Sequence, residues 1–497
     1  MLSNILKSLI PSAGVRLGGA GLSAAPQTIA YSFIESPPSY MMVEIGNEFL
    51  PTIYFFDEAE RSLLRGAFYL LESLLRVNFV EVDETNGVAG QIRIGGNFQY
   101  DSLGFSWMPG STGDDREGDI WLNMASSWMQ DKEMGGYFYS TFLHELGHAM
   151  GLKHPGIYGS VSASLGSEDE VLMSWLDNTR YTVMSYNELD EMQRVDFGVF
   201  DVVALRHLYG ARNFNSGDDV YYFDETIGSR LITFVDDGGF DVFNFEIFSS
   251  GIVVNLNAGE LSSVGMGYDG RTAGGNLAIA WGTDIEGVVA SIGDDVVFGS
   301  EIDNHVYLSF GNNYFDGGGG LNRAYYPDRF NAYSITRELN FDSIVVRGEN
   351  VCDNLINTQI LYFDDAVLSF KFTDALWKAS ATLVTWYGRE ALVGSPELLG
   401  YGVRWFESGA DLDNLIPLVL NHRFPEGVSD FDLFQILYAN VTESTPDATS
   451  MEEFAPQGAH HVLDDYGIYL TGLAWGSEQI PQMLSNIGIE ANGLIYL

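Results

Sequence analysis

The segment Phe142-Leu-His144-Glu145-Leu-Gly-His148-Ala-Met-Gly151-Leu-Lys-His154-Pro155 decides how the chain is read. His144 and His148 lie four residues apart, so on a helix both imidazoles leave the same face. Two neutral ring nitrogens on one face can hold a single ion. Glu145 sits beside them, within reach of a water activated by that ion. Gly151 permits the left-handed backbone that ends a helix. The chain then turns back and delivers His154 as a third ligand. Three histidines with one open position describe a catalytic zinc rather than a closed structural one. A bare H-E-x-x-H arises on helices by chance. The longer H-E-x-x-H-x-x-G-x-x-H is far more specific.

Downstream stands Arg180-Tyr-Thr-Val-Met184-Ser-Tyr186. A methionine in a tight turn beneath the metal accompanies the long histidine motif. Tyr186, two residues on, is placed to reach the zinc as an extra ligand and then to swing away and donate its hydroxyl to a developing oxyanion. Without the histidines, Met184 and Tyr186 would read as ordinary core residues.

Length and composition set the frame. At about 150 residues per domain, 497 residues suggest three domains. Against 68 acidic residues stand 24 basic ones, a net charge of −44. That charge repels nucleic acid and anionic lipid, and it favours a soluble monomer. No apolar run reaches the roughly 18 residues a membrane helix needs. A single cysteine, Cys352, excludes an intrachain disulfide. Many carboxylates and 56 glycines in such a chain suit an exported protein stabilised by bound Ca²⁺. Halophile-type acidity is the competing explanation.

The chain divides by composition. Residues 1–27 carry Lys7 and a short apolar stretch interrupted by Arg16, and read as a flexible leader or propeptide. Residues 28–212 mix strand-like runs (Ile29 to Phe33, Gln91 to Ile94, Val77 to Val82, Gly118 to Asn123) with an amphipathic helix over Glu58 to Leu75. Residues 213–370 are rich in Gly, Asp, Asn and short β-branched runs. Residues 371–497 turn helical, with apolar faces over Asp374 to Glu390 and Leu412 to Asn421. A faint duplication links Leu383 to Tyr387 and Gly402 to Phe406 with Phe434 to Tyr438 and Gly467 to Leu470. His422, His460 and His461 read as surface residues.

A nine-residue period lies within the third segment. Counted from Ala290, the sixth positions are Asp295, Asn304, Asn313 and Asn322. The eighth are Val297, Val306, Phe315 and Ala324. This is the frame of the Ca²⁺-binding parallel β-roll, in which the sixth residue faces an ion and the eighth points inward. One ion between alternate turns would pair Asp295 with Asn313, and Asn304 with Asn322. Asn offers a carbonyl oxygen without charge, so only the first pair is expected to keep Ca²⁺. A metal-free Gly/Asn-rich solenoid is the plainer alternative.

Together these features resemble the serralysin family of secreted bacterial zinc metalloproteases, within the metzincins, over roughly residues 28–370. Beyond the zinc motif and the Met184 turn, the resemblance is carried by Ile29-Ala-Tyr-Ser-Phe33, Gly118-Asp-Ile-Trp-Leu-Asn123, Asp201-Val-Val-Ala-Leu-Arg-His-Leu-Tyr-Gly210 and Val253-Val-Asn-Leu-Asn-Ala-Gly259. Asn215 to Tyr221, with Asp218, and Asp236-Asp-Gly238-Gly-Phe-Asp241 resemble the family's calcium site outside the repeats. The implied architecture is an α+β multidomain chain: a metzincin catalytic domain with a twisted mixed sheet and an active-site helix, a parallel β-roll, and an all-α domain at the C-terminal end. The resemblance also implies zinc, structural calcium, export by a type I secretion system, an extracellular location and proteolysis of protein or peptide substrates. Few and eroded repeats, and a helical zone outside the family's usual plan, are departures.

The expected chemistry has Glu145 as general base, Tyr186 as oxyanion donor, and a substrate extended along the Gly118 to Asn123 strand. A different class stays open, a cell-surface or surface-layer binding protein with a vestigial catalytic domain. A protease tethered to a polysaccharide or cell surface by its helical zone is another.

Overall fold

The computed structural model describes residues 1–12, 14–18, 26–38, 40, 53–100, 102–158, 170–188, 192–267, 269–338, 343–371, 373–447, 471 and 494–496. The chain is an α+β multidomain protein that separates into two compact units, Met1–Phe298 and Gly299–Leu497. The division falls among the nine-residue turns rather than at a composition shift. His460, His461 and the Gly467 to Leu470 echo lie outside the described residues.

In the first unit, helix α1 spans Leu2–Leu9. Strand β1 is Gln27–Phe33, and helix α2 is Glu58–Leu74. Strands β2 (Val77–Glu81), β3 (Ile92–Asn97), β4 (Gly104–Ser106) and β5 (Ile120–Asn123) follow. Helices α3 (Tyr137–Ala149) and α4 (Val199–Tyr209) come after them. The sheet order is β2-β1-β3-β5-β4. All neighbours are parallel except β4 on β5.

Helix α2 begins where Asp57 accepts from the Glu60 amide and Glu60 accepts in turn from the Asp57 amide, a reciprocal cap. Its inward stripe is Leu64, Ala67, Phe68, Leu71 and Leu74, at helical spacing. Phe68 stacks on Tyr31 of β1 with ring centroids 4.0 Å apart. Helix α3 buries Phe138, Tyr139, Phe142, Leu143 and Leu146, so it lies inside the core and its position is tightly fixed.

Two expectations change here. The segment read as a flexible leader begins with a folded helix, because its apolar residues share one face: Ile5 and Leu9 are fully buried in the same core as α3 and α4. The Gly118 to Asn123 run cannot take an extended substrate, because β5 is paired on both sides and Ile120–Asn123 is wholly buried. The edge strand next to β5 is β4.

Further along this unit, Val220–Tyr222, Val242–Asn244 and Gly287–Val289 pair in parallel. Val253–Asn255 pairs in parallel with Val296–Phe298. In the second unit, His305–Tyr307, Arg323–Tyr325 and Ile360–Tyr362 are parallel neighbours, and Tyr314–Asp316 pairs with Val351–Ile356. The eighth positions Val297, Val306, Phe315 and Ala324 are buried, and so are the sixth positions Asp295, Asn304, Asn313 and Asn322. Helices follow at Asp374–Tyr387, Pro396–Glu407, Leu412–Arg423 and Asp430–Thr442. The all-α expectation for the C-terminal zone is corrected by a strand, Leu494–Tyr496, which pairs antiparallel with Val367–Ser369. Alternating Leu494 and Tyr496 are buried against the helices, a period-two pattern that suits a half-covered strand.

Candidate metal centre

Helix α3 carries His144, Glu145 and His148. It ends as Gly151 turns with φ +102°, and the Leu152 amide bonds back to the Gly147 carbonyl at 2.9 Å. That reversal returns His154 to the helix face. His154 Nε2 then lies 3.0 Å from Nε2 of both His144 and His148.

Backbone carbonyls fix which nitrogens carry protons. His144 Nδ1 faces the Val183 carbonyl at 2.6 Å, and His148 Nδ1 faces the Leu152 carbonyl at 2.8 Å. A carbonyl only accepts, so both Nδ1 atoms donate and both Nε2 atoms present lone pairs. Burial pushes the three imidazoles down to about 3 for His144, about 4 for His148 and about 2 for His154. All are neutral at pH 7, the form that ligates a metal.

Glu145 is buried, and burial pushes its carboxyl up to about 8. Its Oε2 has no hydrogen-bond partner among the described residues. Three converging ring nitrogens beside a buried carboxyl with one unpartnered oxygen fit a divalent cation, which would also draw the carboxyl back toward its charged form. Gly104 of β4 lies directly over this acid: a Cβ there would sit 2.9 Å from Glu145 Cγ.

Met184 closes the floor. A Cβ on Gly147 would fall 2.5 Å from its sulfur, so the glycine lets the turn approach the helix. The turn is held by Asp201 of α4. Its Oδ1 accepts from Thr182 Oγ1 at 2.5 Å, and its Oδ2 from the amides of Val183 at 2.7 Å and Gly198 at 2.8 Å. Val183 in turn supplies the carbonyl that orients His144.

Tyr186 is half exposed, and its ring centroid lies 4.6 Å from that of His154 and 5.5 Å from that of His144. Burial, with Glu145 adding to it, pushes its phenol up to about 12, so it remains a proton donor at neutral pH. Tyr158 stacks on it at 4.8 Å. The Tyr158 hydroxyl donates to Asp177, which also accepts from Ser185 Oγ at 2.6 Å. No periodicity in the chain marks Tyr158, Asp177 or the role of Asp201.

The calcium expectations divide. Carboxylate oxygens of Asp219, Asp236 and Asp241 gather within 4.8 Å of one another. Asp241 is fully buried, burial pushes it up to about 6, and its Oδ2 has no hydrogen-bond partner among the described residues. Gly238, with φ +129°, donates its amide to Asp236 at 2.8 Å. Asp218 stands outside the cluster, accepting from the Phe240 amide at 2.8 Å. Its neighbour Asp219 takes that place. Asp295 accepts from the Ile252 amide at 2.9 Å and from Ser291 Oγ at 2.5 Å. Asn313 donates its amide nitrogens to Asp353 at 2.9 Å.

Comparison with known families agrees with this geometry. Residues 52–177 match the family model described as Matrixin, and residues 202–316 match Peptidase M10 serralysin C terminal. A serralysin of a Photorhabdus species is 28% identical over 54% of this chain and 57% of its own length. A serralysin of Photorhabdus laumondii is 30% identical over 56% and 59%, and serralysin C of Dickeya chrysanthemi is 32% identical over 36% and 40%. The chain thus spans under three-fifths of the length of these relatives.

Asp201→Ala removes three hydrogen bonds to a charged group, each worth about 1.5–3 kcal/mol, and loosens the carbonyl that orients His144. Metal affinity measured by chelator competition is expected to fall by about 10–100-fold.

Proposed function

We propose that this chain, whose matched segments are similar to Matrixin and to the serralysin C terminal, is a zinc-dependent metalloendopeptidase. The observation that carries this reading is the meeting of three Nε2 atoms beside a buried, unpartnered Glu145. A vestigial binding protein would have no use for that costly arrangement, and it is not favoured.

His144, His148 and His154 would hold the zinc. When bound, the ion supplies Lewis acidity, polarising a peptide carbonyl and making a water more acidic. Glu145 takes the proton of the attacking water and returns it to the leaving amine. Tyr186 donates its phenolic hydrogen to the oxyanion, and the ring stack from Tyr158 restricts its direction. Substrate pairs as an added strand on the β4 edge, Gly104–Ser106, which lies over Glu145.

The wider reading follows the relatives. The product acts outside the cell on protein or peptide substrates and leaves by a type I system. The parallel pairs after residue 213 are turns of a β-roll, and the helices from residue 374 form a module of unassigned role. Calcium occupies the Asp219, Asp236 and Asp241 cluster, with Gly238 shaping its loop.

Glu145→Gln should keep one zinc per chain by metal analysis yet lose at least about a hundredfold in casein hydrolysis. Full activity in that variant would remove the general base. Tyr186→Phe should lower kcat by about 10²–10³ with little change in KM, as loss of an oxyanion donor does. Calcium should raise the melting temperature of the wild-type chain, and that rise should disappear in Asp236→Ala. An equal rise in both would place the ion elsewhere.

A further inference from the structure

We infer that residues 1–17 are a permanent brace for the third metal ligand, with Lys153 as the positioning residue that joins the two. The inference rests on the zinc reading above.

Lys153 occupies a narrow position. Leu152 before it supplies the carbonyl that orients His148, and His154 after it is the third ligand. The Lys153 side chain points away from the metal and is only 6% exposed. Its amide donates to the Leu9 carbonyl at 2.8 Å, and its Nζ donates to the Ser8 carbonyl at 2.8 Å. Those are carbonyls of the last turn of α1, which have no partner within the helix and favour a cation. One residue of the metal loop therefore caps the N-terminal helix through both main chain and side chain.

A third carbonyl, that of Glu170, receives Nζ at 3.1 Å. Glu170 is held in turn by Asn4 and Lys7 of α1, each at 2.8 Å. The helix thus grips the ammonium directly and through Glu170. Burying an ammonium is costly unless its donors are met, and here the Ser8 carbonyl of α1 and the Glu170 carbonyl accept from it.

The chain after α1 touches the same loop again. A Cβ on Gly151 would lie 2.8 Å from the Val15 carbonyl. The Leu17 amide donates to the Tyr209 hydroxyl at 3.2 Å, and that hydroxyl donates to the Met150 carbonyl at 3.0 Å. Lys153 is therefore bonded to α1, Gly151 lies against Val15, and Met150 is linked to Leu17 through the Tyr209 hydroxyl. Without it, the turn that brings His154 to the helix would lose both partners of Lys153 on α1 and the contact of Val15 with Gly151.

The test uses full-length protein loaded with zinc or cobalt. Zinc release into excess chromogenic chelator is timed for wild type and Lys153→Met. The visible absorption of the cobalt forms reports ligand geometry, which a merely structural role would leave unchanged. Release about 10–100-fold faster, with an altered cobalt spectrum and unchanged far-ultraviolet dichroism, is expected. Unchanged release and spectrum would overturn the inference. Should Lys153→Met not fold, the double variant Asn4→Ala/Lys7→Ala cuts only the grip on Glu170. It should then speed release severalfold, and no change would overturn the brace. A wild-type chain that takes up neither metal would refute the proposed function instead. Amide exchange over residues 150–154 then decides the brace: faster exchange in the variant supports it, and equal exchange overturns it.

Discussion

Three ring nitrogens converge beside α3, with His154 Nε2 3.0 Å from Nε2 of both His144 and His148. Such a cluster is repulsive on its own. A cation at the same place would accept all three nitrogens as ligands. The surrounding structure is arranged to keep those nitrogens unprotonated and aimed. Carbonyls from two different segments take the Nδ1 protons, and burial removes the solvent that would stabilise an imidazolium.

Each support comes from a separate part of the first unit. Helix α3 fixes two ligands and the acid on one buried rod. The Met184 turn supplies the floor and the Val183 carbonyl, and Asp201 on α4 fixes that turn. Strand β4 lies over Glu145, and only a glycine at 104 allows that approach. Its place at the sheet edge leaves backbone groups for an incoming strand beside the acid. Packing, rather than any local preference, therefore joins binding to chemistry.

The turns beyond residue 213 show what replaces an ion where charge is lacking. In the second unit the Asn304 amide donates to Asn322 Oδ1, and the Asn322 amide donates to Gln359 Oε1, so each side chain satisfies a backbone group of a neighbouring turn. A neutral amide does this without mutual repulsion, which is why Asn suffices at buried sixth positions. The Asp219, Asp236 and Asp241 cluster is the opposite case. Three carboxylates drawn together in partial burial repel one another and gain from a cation.

Much of the site was legible in the sequence because it is local. The spacing of His144, Glu145, His148 and His154 is set by the helical period and one glycine turn, so order along the chain fixes order in space. The amphipathic stripe of α2 and the run of β1 were readable for the same reason. Positions that depend on distant pairing were not. The Gly118 to Asn123 strand is interior and β4 lies at the edge, because strand order is decided by which strands meet, not by their composition. Asp219 displaced Asp218, since a one-residue shift along an extended chain changes the direction of the side chain. Tyr158, Asp177 and the hold of α1 on Lys153 join residues far apart in the chain. Spacing along the chain sets which side chains can meet an ion, whereas folding sets their proton positions and their supports, because the Val183 carbonyl and α1 reach them from distant segments.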